Sequence, residues 1–114
     1  MRHRNRGKIL KRKRNQRNSL LIGLAKSLIE YGKIDTSEVK AKVLRTLVER
    51  LITRVKRGGL ADIRQVHSML GPKLSGKLIN ASERFSTRPG GYTRMVKIPA
   101  KRGDNSKRVL IELI

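Results

Sequence analysis

Two histidines, His3 and His67, and eight carboxylates are all that this 114-residue chain offers for acid–base chemistry. Such catalysis needs a titratable group held within hydrogen-bond reach of the reacting proton. Neither histidine has an acid at a spacing that suggests such a pair. His3 lies in a basic run, and His67 reads as a partly exposed helix residue. No cysteine is present, which excludes disulfides and thiolate zinc sites and fits a reducing cytoplasm. The glycine pairs Gly58-Gly59 and Gly90-Gly91 lack the lysine-containing spacing of a phosphate loop and the spacing of a dinucleotide fingerprint. They read as a helix terminator and a turn. No catalytic residue, metal ligand or cofactor is expected.

What remains is charge. Twenty-nine Lys and Arg face eight Asp and Glu, for a formal net charge of +21. On so short a chain this repulsion works against compaction, so a polyanion is the expected partner. Nucleic acid comes first, because each neutralised phosphate releases condensed counterion; an anionic membrane surface comes second. The longest near-continuous apolar run, Leu20 to Ala25, includes Gly23 and is too short to span a bilayer. A secretory signal also fits poorly, with a long basic leader, an apolar patch interrupted at Lys26 and no clear cleavage site. The absence of acids from the first 29 residues leaves a mitochondrial transit peptide as a minor alternative.

Residues 1–17 hold nine of the basic residues and no acid. Their apolar content is too small to fold alone, so an extended RNA-binding segment is expected there. Its candidate contacts are Arg2, His3, Arg4, Arg6, Lys8, Lys11, Arg12, Lys13, Arg14 and Arg17. Residues 18–114 still carry 20 basic against 8 acidic residues and read as one domain. Arginine can bridge two phosphates or stack on a base through its planar fork. Only three aromatics, Tyr31, Phe85 and Tyr92, are available for stacking. Contacts should therefore go mainly to phosphate and ribose of a folded RNA. Arg50, Arg54, Lys56 and Arg57 read as a solvated outward helix face.

The elements that must position these groups follow from periodicity. Leu20, Leu21, Leu24, Ala25, Leu28 and Ile29 make a helical stripe over about Gln16 to Tyr31, stopped at Gly32. Ile34 can sit in a short strand, Lys33 to Thr36. A long amphipathic helix then begins near Asp35 to Ser37, runs through Leu44, Leu47, Val48, Leu51, Ile52 and Val55, and ends at Gly58. Leu60 to Leu70 forms a third helix, and Pro72 opens a fourth with Leu74, Leu78 and Ile79 inward. Ser82 to Gly91 reads as a loop. Tyr92 to Ile98 and Arg108 to Ile114 alternate with period two, suggesting a hairpin joined by the polar loop Pro99 to Lys107. The fold class expected is α+β: two layers, about four helices packed on a small two- to three-stranded sheet.

The chain resembles the bacterial large-subunit ribosomal protein seventeen family. The resemblance is carried by Met1-Arg2-His3-Arg4 with Gly7, Leu10 and Arg12, then by Ala25, Ser27 and Leu28. It continues through Gly32-Lys33-Ile34-Asp35-Thr36, Lys40-Ala41-Lys42 and Leu44-Arg45. Most specific are Arg88-Pro89-Gly90-Gly91-Tyr92-Thr93-Arg94, Arg102-Gly103-Asp104 and the closing Ile111-Glu112-Leu113. The resemblance implies an α+β, non-enzymatic structural constituent of the large ribosomal subunit. It would bind large-subunit ribosomal RNA near the mouth of the peptide exit tunnel, beside neighbouring large-subunit ribosomal proteins. Lys26, Lys33, Lys40, Lys42, Arg88, Gly90, Gly91, Tyr92, Arg94, Lys101 and Arg102 become further RNA-binding candidates. Gly90 and Gly91 would permit a tight turn or close phosphate approach, and Tyr92 and Arg94 would project from one face of the following strand, with Tyr92 packed against the sheet as the equal alternative and both compatible through its apolar body and polar tip. Two departures stand out: Lys13-Arg14-Asn15-Gln16 where the family is typically serine-rich, and Val43 where it usually has glutamate.

The location expected is the cytoplasmic ribosome, with an organelle's ribosome left open. No membrane partner, small-molecule substrate or homo-oligomeric state is expected. The competing reading is a general nucleic-acid-compacting basic protein.

Overall fold

The structure, a computed structural model, describes residues 13–99 and 107–114. Helix α1, Arg14–Tyr31, leads into strand β1, Lys33–Ser37, and helix α2, Glu38–Arg57. Helices α3, Leu60–Leu70, and α4, Pro72–Ser82, follow. A short 3-10 turn, Glu83–Phe85, precedes strands β2, Thr93–Ile98, and β3, Arg108–Leu113. The expected α+β architecture of four helices and a small sheet is what the chain forms.

Local chemistry sets the boundaries. Gly32 adopts φ 78°, and its N–H donates to the Leu28 carbonyl at 2.8 Å, closing α1 with a left-handed cap. Ser37 caps α2, its hydroxyl accepting from the Lys40 N–H at 3.4 Å, with Glu38 in the first turn. Gly58, at φ 70°, ends that helix. Pro72 starts α4 at a position where its missing N–H costs nothing.

The sheet order is β1-β3-β2, with both pairings antiparallel. Ile34 and Met95 both stand opposite Ile111, and Thr36 and Lys97 opposite Val109. Val109 and Ile111 are buried, as the inward residues of a central strand should be. The edge strands carry exposed Lys33, Asp35, Arg94 and Lys97, charges that discourage edge-to-edge pairing. Helices α1 and α2 cover the inner face of the sheet, and α3 and α4 pack mainly on those two helices. The core joins Ala25, Leu28 and Ile29 of α1 to Ala41, Leu44, Val48, Leu51, Ile52 and Val55 of α2. Val66, Leu70, Leu78 and Phe85 complete its far side.

Three expectations need correction. Helix α1 begins at Arg14, so Arg14 and Arg17, placed in an extended segment by composition, lie on its first turn. Ser82 belongs to α4 rather than a loop: it is buried, and its hydroxyl donates to the Leu78 carbonyl at 2.7 Å. Tyr92 and Arg94 do not share a face. Tyr92 lies before the first residue of β2, just after the positive-φ turn at Gly91 (65°), and points into the core, while Arg94 is exposed on the outer sheet face.

Candidate nucleic-acid interface

The expected contacts fall into four groups. Arg2, His3, Arg4, Arg6, Lys8, Lys11 and Arg12, with Lys101 and Arg102, lie outside the described residues. So does most of the expected Pro99 to Lys107 loop. The second group, Lys13, Arg14 and Arg17, stands at the N-terminus of α1. That end has no acidic residue and no side-chain cap, so its cations add to the positive end of the helix dipole.

The third group is spread over the surface. Lys26 and Lys33 are exposed and Lys40 is half-buried. Lys42 pairs with Glu38 at 3.3 Å one turn away. That hydrogen bond and the Lys42 charge, with lesser help from Lys107 and Lys97, hold the Glu38 carboxyl below its ordinary value of 4.5. Arg94 pairs with Glu112 across the β2–β3 register, its Nε donating to Oε1 at 2.7 Å. Arg108 makes the matching bridge to Asp35 across β1–β3, at 2.9 Å. The outer sheet face therefore balances much of its own charge.

The fourth group, Arg88, Gly90, Gly91 and Tyr92, gathers around α2. Tyr92 is 2% exposed and packs on Phe85, with ring centroids 5.1 Å apart at 53°. Its hydroxyl accepts from Lys56 Nζ at 2.9 Å and donates to the Arg88 carbonyl at 3.2 Å. Lys56 Nζ also donates to that carbonyl and lies 4.9 Å from the Tyr92 ring centroid. The Arg88 guanidinium folds back onto the Gly91 carbonyl at 3.0 Å. Tyr92 is thus a core residue with a polar anchor, not a stacking platform.

This anchoring presses the 88–92 loop against one side of α2. Between them runs a groove of about 350 Å³, lined by Glu49, Arg50, Thr53, Arg54, Arg57, Gly90 and Tyr92. The arginines are those expected to form a merely solvated face. Their spacing of four and then three residues already marks one helical stripe, but its opposing wall lies some forty residues onward. Glu49 is engaged by Thr93 Oγ1 at 3.2 Å and by Arg45 Nε at 3.6 Å. Arg57 reaches Asp62 at 4.0 Å.

Among the described residues there is no group of three or more His, Cys, Asp or Glu side chains that could hold a metal ion. No described helix is long and apolar enough to cross a membrane. His67 is exposed on α3.

Fold and surface together define a small, strongly basic α+β module whose concave surface beside α2 is lined with arginines. The family model of ribosomal protein L17 matches residues 20–114, and the chain belongs to that family. It is 44% identical to the large ribosomal subunit protein bL17 of a Hydrogenobaculum species, over all of this chain and 99% of the relative. The protein of the same description from Gemmatimonas aurantiaca is 42% identical, over all of this chain and 98% of the relative. That from Syntrophotalea carbinolica is 40% identical, over all of this chain and 75% of the relative.

Proposed function

We propose that this chain is a structural, non-enzymatic constituent of the large ribosomal subunit that binds large-subunit ribosomal RNA. The reading places it in the cytoplasmic ribosome beside other large-subunit proteins, near the mouth of the peptide exit tunnel. The observation that carries it is the whole-chain similarity, at 40–44% identity, to proteins named for the large ribosomal subunit. The net charge of +21 supplies the physical reason for an RNA partner. The expected RNA contacts in residues 1–12 and at Lys101 and Arg102 are part of this proposal, as is a tail that orders against phosphate.

Retention on folded large-subunit ribosomal RNA is to be compared with retention on duplex DNA of equal length at matched salt. Ribosomal RNA should hold the protein at least about tenfold more tightly than DNA, since charge alone favours neither polymer strongly. Equal affinity would instead favour a general nucleic-acid-compacting protein.

A further inference from the structure

We propose that the groove between α2 and the 88–92 loop seats the sugar–phosphate backbone of one RNA strand, with Arg50 and Arg54 each taking a phosphate. The inference rests on the ribosomal RNA reading above and assigns part of that binding to a defined surface.

Arg50, Arg54 and Arg57 sit at steps of four and three along α2 and so point the same way. Arg50 and Arg54 start about 6 Å apart along the helix axis, close enough for two side chains to reach neighbouring phosphates of a single strand. Among the described residues neither pairs with a carboxylate. The two acids beside them are occupied: Glu49 by Thr93 and Arg45, Asp62 by Arg57. The groove therefore keeps unspent positive charge where Arg94, Lys42 and Arg108 do not.

The opposite wall, Gly90 and Tyr92, is held in place from α2. Lys56 is locked between the Tyr92 hydroxyl and the Arg88 carbonyl, which fixes its charge at the loop base. Gly90 is exposed on the groove edge, and a Cβ built there meets nothing within 4 Å. Backbone at that edge is open to a close-approaching ligand. Positive charge along one wall of a concave surface concentrates potential more than the same charge on a convex helix face. Guanidinium forks suit phosphate oxygens, which accept two parallel hydrogen bonds. An acidic protein segment is the competing occupant, and the groove shows no apolar anchor for one.

The test measures binding of the full-length chain to folded large-subunit ribosomal RNA transcribed in vitro, across a series of salt concentrations. R50Q/R54Q is compared with R64Q/K73Q, which removes the same charge from exposed positions on α3 and α4. Each lost phosphate contact lowers the slope of log affinity against log salt by about 0.7–0.9. R50Q/R54Q should flatten the slope by about 1.5 and weaken binding roughly tenfold at low salt, while R64Q/K73Q should leave the slope nearly unchanged. R50K/R54K should restore the slope but only part of the affinity, because charge returns without the fork. Circular dichroism of each variant separates misfolding from lost contact. If wild-type protein prefers ribosomal RNA and R50Q/R54Q keeps its slope, the groove assignment fails while the functional reading stands. If wild-type protein shows no preference for ribosomal RNA, the functional reading itself fails. Unchanged RNA binding with reduced incorporation into particles would give the groove to a neighbouring protein and overturn the proposal.

Discussion

Tyr92 joins three parts of the molecule through one side chain. Its ring fills the core beside Phe85, and its hydroxyl ties the Lys56 ammonium on α2 to the Arg88 carbonyl in the loop. Replacing Tyr92 with Phe keeps the ring and removes only the tie. We expect a loss of about 1.5–3 kcal/mol in urea denaturation, the range for a hydrogen bond to a charged group, with helical content unchanged. Stability equal to wild type would mean that Lys56 is held adequately by the Arg88 carbonyl alone. At this scale the sequence was only partly readable. The period-two pattern through Tyr92, Arg94 and Val96 suggests a shared face, but Tyr92 precedes β2, and a step out of the pleat there turns its ring inward beside Phe85. Periodicity carries no sign of such a step. The pairing of Arg94 with Glu112 was equally hidden, because it depends on strand register.

The elements were far more legible. Helix α2 announces itself through Ser37, Glu38, a long apolar stripe and Gly58, and each of these does the expected work. The end of α3 and the start of α4 follow from Gly71 and Pro72 in the same way. The start of α1 was missed because Arg14 to Arg17 contribute no apolar period. The 3-10 turn at Glu83–Phe85 was missed because one buried aromatic in a polar stretch gives no repeat to detect. The loop after that turn makes a testable element-scale claim. Gly91 sits at φ 65°, where a β-branched side chain is strained, whereas Gly90 does not adopt a positive φ and has open space around it. Gly91→Val should cost about 1–2 kcal/mol of folding stability in urea titration, and Gly90→Val close to nothing. Equal costs at both positions would show that the turn tolerates relaxation and that the left-handed step does not fix the entry to β2.

On the scale of the whole molecule, a core drawn from four helices and a three-stranded sheet is surrounded by an excess of like charge. The family was legible from the order of motifs along the chain, and the charge excess is what motivates the proposed RNA partner. The groove was not, because it unites residues 50–57 with residues 90–92, and only tertiary packing brings these together. Repulsion of this size is relieved when phosphates surround the protein, which makes residence in a ribonucleoprotein particle the central claim. A density map of large ribosomal subunits purified from cells producing this chain tests it most directly. The chain should lie within the particle, its arginine-lined groove facing the phosphates of an RNA strand. Complete, translation-competent subunits lacking the chain, with the protein recovered elsewhere in the cell, would contradict it.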